Sequence, residues 1–136
     1  MLDNRKLKDI YKCESIKTEG EIYPLQKWYN GLIEKTISEI EIADVLRMIR
    51  QKQFMDIAIF KAVYYLEKNP FSGELYEGEL LEKLSTVNKN EIIKYKNEII
   101  TILLDSLEKN KKYEWLEEEE REEFKDIIDD FYMKLL

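Results

Sequence analysis

Histidine is absent from the 136 residues, and cysteine occurs once, as Cys13. The first absence removes the commonest general base and the commonest metal ligand. The second rules out an internal disulfide and fits a reducing cytosol. Lysines near Cys13 would favour its thiolate, but no histidine is there to activate it, so an incidental thiol is the simpler reading. No G-x-S-x-G occurs, and four scattered glycines supply no phosphate-cradling loop. Zinc lacks ligands, and no D-x-D-x-D-G calcium loop is present. The chain therefore reads as a non-enzyme, with no metal and no cofactor expected.

Positive charge is in deficit too. Lys and Arg total 22 against 29 Asp and Glu, a net charge of −7. Gripping phosphates needs surplus Lys and Arg, so no nucleic-acid partner is expected. A basic protein would be drawn in by the same field. Apolar runs of about 18 residues are missing, so no membrane span is expected. The stretch M-L-D-N-R-K-L-K-D lacks an apolar signal core, and the expected location is the cytoplasm.

What is present is helical. Hydrophobic residues make up 44% and charged residues 38%, which places residues 1–136 in one globular domain. Leu7, Ile10 and Tyr11 set a short amphipathic helix within 2–16, with Lys6, Lys8, Lys12 and Lys17 on its solvated side. A loop follows over 18–24, and Trp28 and Tyr29 are expected against the core. Ser38 and Glu41 are spaced as a capping box, although the apolar register starts a turn later. Ile42, Val45, Leu46 and Ile49 form one stripe. After the polar Gln51–Gln53, Ile59, Ala62, Val63 and Leu66 form another, widened by Phe60 and Tyr64. A helix apolar over so much of its girth reads as the central one.

Beyond it, Asn88 or Asn90 caps a run reaching about Lys109, with Ile92, Tyr95, Ile99, Ile102 and Leu103 on one side. Ile100, Leu104 and Leu107 lie beside them. Trp115 and Leu116 lead into a last helix whose core face is Phe124, Ile127, Ile128, Phe131 and Leu135. No strand-like alternation persists. The expected fold is all-α, a single compact domain of about five to seven helices.

Between the central helix and the next lies L-E-K-N-P-F-S-G-E-L-Y-E-G-E-L-L-E-K-L. It holds one of two prolines and two of four glycines. Asn69 before Pro70 is pushed out of the α region, and Gly73 and Gly78 allow the chain to turn. Leu80, Leu81 and Leu84 restart a helical stripe. A Pro/Gly elbow is expected at residues 69–78.

This stretch resembles the immunity proteins of bacterial contact-dependent growth inhibition systems. Members carry N-P-(F/L)-x-x-G-(E/D)-x-Y-x-G-(E/D)-L-L after L-x-x-x-D-(L/V)-x-x-x-I-x-Q. The matching positions are Asn69, Pro70, Phe71, Gly73, Glu74, Tyr76, Gly78, Glu79, Leu80 and Leu81, with Asp44, Val45, Ile49 and Gln51 upstream. The likeness runs over residues 37–85. It implies stoichiometric binding of a cognate toxin domain, often a nuclease and hence basic, by a monomer or weak dimer. Glycines, a proline and core leucines make the motif itself architectural, Gln51 and Tyr76 included.

Partner contacts are expected on acidic surface. Residues 114–130 set ten acidic side chains against Arg121 and Lys125. Like charges at i, i+3 and i+4 cost a helix a few tenths of a kcal/mol per pair, which a cationic partner would relieve. Glu118, Glu119, Glu122 and Asp126 are the candidates there, and Glu74 and Glu77 at the elbow. Two other readings share the composition: a helical adaptor for some other protein, and a carboxylate-based metal enzyme using Glu74, Glu77, Glu79 and Glu82. A plainer role for Glu79 and Glu82 is to complement the dipole of the helix beginning near Gly78.

Overall fold

The computed structural model describes residues 3–17, 20 and 23–136. Part of the expected first helix, at Leu2, and most of the loop over 18–24 lie outside the described residues. Within them the first helix, α1, is only Leu7–Ile10. Lys12 ends it by taking the left-handed conformation, φ 54°. Leu7 is fully buried, and Ile10 and Tyr11 pack against the core.

Pro24 opens α2 (Pro24–Leu32), where its fixed φ suits the first turn. Trp28 is half-buried and packs against the core, while Tyr29, also half-buried, stacks on Phe54 with ring centroids 6.0 Å apart. Ser38 and Glu41 do not form a capping box. In their place Thr36 and Glu39 form one at a 3-10 turn (Ile37–Glu39), and Glu41 and Asp44 form one at the start of α3 (Ile42–Gln51). Val45, Leu46 and Ile49 are buried as their spacing requires.

The polar interruption after α3 is a sharp reversal through left-handed Lys52 (φ 54°) and Phe54 (φ 49°). It lays α4 (Met55–Lys68) against α3. Ile59, Ala62, Val63 and Leu66 are buried. Phe60 and Tyr64 are over a third exposed, so the buried stripe is narrower than expected.

After the elbow come α5 (Glu79–Ser85), α6 (Lys89–Ile92), a 3-10 turn (Ile93–Tyr95), α7 (Lys96–Asn110) and α8 (Glu118–Leu135). The run expected from Asn88 to Lys109 is thus broken. Ile92 is buried and Ile93 exposed across the tighter turn, a change of winding that no proline or glycine announces. Helix α4 touches α3, α5, α6 and α7, which makes it the central one.

Helix α8 packs along α7 and reaches α5. It buries Phe124, Ile128, Phe131 and Leu135, with Ile127 half-buried. Six helices have seven residues or more, and among the described residues the one extended pairing is an isolated bridge between Lys6 and Thr36. The fold is all-α. No helix is long and apolar enough to cross a membrane among the described residues.

Candidate functional site

The elbow is held by its own backbone. Helix α4 stops as Asn69 turns extended before Pro70, which is buried. The Asn69 Oδ1 accepts from Phe71 N at 3.0 Å, and its carbonyl accepts from Ser72 N and Oγ. Gly78 N donates to Phe71 O at 2.9 Å and Leu80 N to Ser72 O at 3.0 Å, closing the loop on itself. At Gly73 a Cβ would fall 2.1 Å from the Tyr76 carbonyl oxygen, so only glycine fits. Gly78 has φ 85° and caps α5 from the left-handed region. Leu80, Leu81 and Leu84 are fully buried beneath.

The upstream half of the motif serves the core as well. Asp44, buried on α3, accepts from Lys35 Nζ at 2.6 Å and from Glu41 N at 3.1 Å. Gln51 is exposed at the end of that helix, and Tyr76 is 46% exposed on the elbow.

The four elbow glutamates have separate fates. Glu79 is 1% exposed and turned inward, where its Oε1 accepts from Glu74 N and Leu75 N, each at 2.9 Å. It therefore buttresses the loop, beyond any effect on the α5 dipole. Glu82 accepts from Tyr76 Oη at 3.1 Å, and burial together with that carboxylate pushes the phenol up to about 12. Glu77 similarly supports Tyr113, whose hydroxyl burial first and Glu77 second raise to about 12. Glu74 is exposed and borders a cavity of about 160 Å³ that Arg47 and Arg50 also line.

A cluster of rings joins the elbow to the C-terminal segment. Phe71 stacks on Tyr113 with centroids 3.7 Å apart and meets Trp115 edge-on at 5.7 Å and Phe124 at 5.2 Å. Trp115 Nε1 donates to Asn110 Oδ1 at 2.8 Å, which fixes the indole.

Of the predicted partner contacts on α8, Glu119, Glu122 and Asp126 are exposed on the side away from Phe124 and Ile128. Glu118 is exposed as well but pairs with Arg121, Nε to Oε1 at 2.8 Å. The three cations of this helix are all engaged. Arg121 also donates to the carbonyls of Asn110 and Tyr113, Lys125 pairs with Asp129 at 2.9 Å, and Lys134 donates to the carbonyls of Ser85 and Val87. The uncommitted charge of α8 is therefore carboxylate.

Between the elbow and α8 runs a groove of about 480 Å³. It brings Glu77 of the elbow and Glu82 of α5 together with Glu114, Glu120 and Glu123. Trp115 and Phe124 line it, and Leu75 and Leu116 stand at its edge, 75% and 94% exposed. Sequence reasoning did not single out Glu114, Glu120 or Glu123 as contacts. The signal was there in Glu120, Glu123 and Ile127, whose i, i+3, i+7 spacing marks one flank of α8. No group of three or more His, Cys, Asp or Glu is placed to hold a metal ion among the described residues.

The family of CDI immunity proteins matches this chain over residues 9–102, which takes in the elbow and stops within α7. No curated protein matches the sequence.

Proposed function

From the premise that the chain belongs to the CDI immunity proteins, we propose that it binds and neutralises the C-terminal toxin domain of a contact-dependent growth inhibition effector. It acts in the cytoplasm, one copy to one toxin domain, by occlusion and without catalysis. The observation that supports this reading is the outer side of α8, where Glu119, Glu122 and Asp126 are exposed while each cation of the helix is engaged by another group.

Such a surface suits a basic partner. A nuclease domain has to grip phosphates, and carboxylates laid where phosphates would lie close its substrate groove. Glu118, Glu119, Glu122 and Asp126 carry this recognition, and Glu77 adds to it from the elbow. Glu74, a further contact, borders the cavity that Arg47 and Arg50 also line.

The test is the quadruple charge reversal of Glu118, Glu119, Glu122 and Asp126 to lysine. Association with the toxin domain slows, cells expressing the toxin lose protection, and the helical spectrum stays intact. Full protection by this variant would show that recognition lies elsewhere.

A further inference from the structure

We propose that the groove between the elbow and α8 is the anchor of the toxin interface, and that its occupant is a basic side chain, arginine or lysine, projecting from the toxin domain. This rests on the functional reading above and assigns the grip, as distinct from the attraction, to a different set of residues.

Three observations converge on the groove. Its charged lining consists of carboxylates alone: Glu77, Glu82, Glu114, Glu120 and Glu123, with no lysine or arginine among the described residues that form it. On the functional reading above the partner is a basic protein, and a concave site of one sign selects the opposite charge. Second, Leu116 and Leu75 are the two most exposed large hydrophobic residues described, 94% and 75%, and both belong to this one groove. An exposed leucine alone means little, but two at the edges of one acidic cleft match a long cation, whose methylene stem is apolar and whose head is charged.

Third, the aromatic wall is already fixed. Trp115 is held by Asn110 at 2.8 Å and packed against Phe71, Tyr113 and Phe124. An indole face attracts a guanidinium or ammonium, and a wall that needs no reordering on binding loses no rotamer freedom. Aromatic-lined, water-excluding pockets that take arginine are where interfaces concentrate their binding energy.

The two carboxylate sets then act on different steps. Those on the outer side of α8 stay solvated and steer the encounter, so they govern association. Those in the groove are covered by the partner, so they govern dissociation.

The experiment measures binding kinetics to the cognate toxin domain. Leu75→Ser with Leu116→Ser, and separately Glu114→Gln with Glu123→Gln, raise the dissociation rate about tenfold or more and leave association within about twofold. The outer-face reversal gives the opposite pattern. In the complex the indole N–H resonance of Trp115 shifts and that of Trp28 does not. Unchanged dissociation in both groove variants, or a shift of Trp28 alone, overturns the anchor while leaving toxin binding in place. Failure of the wild-type chain to bind the domain overturns both readings.

Discussion

Phe124 occupies the space that a side chain on Gly78 would need: a Cβ there would lie 2.8 Å from its ring Cε1. With φ 85° at the same residue, two independent constraints demand glycine. Gly78→Val is expected to lose about 1–3 kcal/mol in urea unfolding, and Gly78→Ala nearly as much. Gly78→Ser, harmless at an N-cap in ordinary backbone space, is strained here as well. A valine variant as stable as the wild type would contradict this packing.

Gly73 and Gly31 make a matched contrast. At Gly73 the obstacle is backbone, the Tyr76 carbonyl, which cannot swing away as a side chain would. Gly73→Ala should lose about 2–3 kcal/mol or leave the chain unfolded. Gly31, near the end of α2, has nothing within 4 Å of the point where a Cβ would stand. Gly31→Ala should gain about 0.5 kcal/mol from the stiffer unfolded chain. A higher melting temperature for Gly73→Ala, or a lower one for Gly31→Ala, would overturn the assignment at that residue.

Arg121 ties the end of α7 to the start of α8 with one fork. Its guanidinium reaches the Asn110 carbonyl, the Tyr113 carbonyl at 2.9 Å and Glu118 at 2.8 Å. Arg121→Lys keeps the charge but not the planar spread of donors. It is expected to cost about 1–2 kcal/mol, as hydrogen bonds from charged groups do. Equal stability of the lysine variant would show that charge alone suffices there.

Glu34 gives the chain an acid dependence that can be read at one residue. Hydrogen bonds from Lys6 and Lys8 hold its carboxyl at about 2, down from 4.5. A carboxyl depressed on folding contributes stability that is complete above the unfolded value and lost as pH falls through the folded one. The window is therefore from about 4.5 down to about 2. Carboxyl carbon shifts should place the Glu34 midpoint at the low end of that window. Lys6→Ala with Lys8→Ala should carry it back toward 4.5 and flatten the acid limb of the melting temperature. A midpoint that ignores both lysines would remove the pairing.

Much of this architecture is legible in the residues. Pro70 and the two elbow glycines mark the turn because their backbone restrictions are local, and the period of Phe124, Ile128, Phe131 and Leu135 marks a buried face because a helix repeats. What escapes a linear reading is set by contacts distant in sequence. Glu79 looks like one more surface glutamate until the loop folds back and offers it two amides. Leu116 reads as the hydrophobic lead into a helix, yet it projects into solvent because Trp115 takes the place against Phe71. Lys52 and Phe54 adopt left-handed backbone that their side chains do not advertise. The acidic groove likewise depends on two segments meeting, so neither segment shows it alone.

The last helix divides its duties by angle. On its inner side Phe124, Ile128, Phe131 and Leu135 are held in the core, and a change there is felt throughout the fold. On its outer side Glu119, Glu122 and Asp126 face solvent, where substitutions usually move stability by less than about 0.5 kcal/mol. That outer side can therefore be rewritten one residue at a time, and no step along the way passes through a protein that fails to fold.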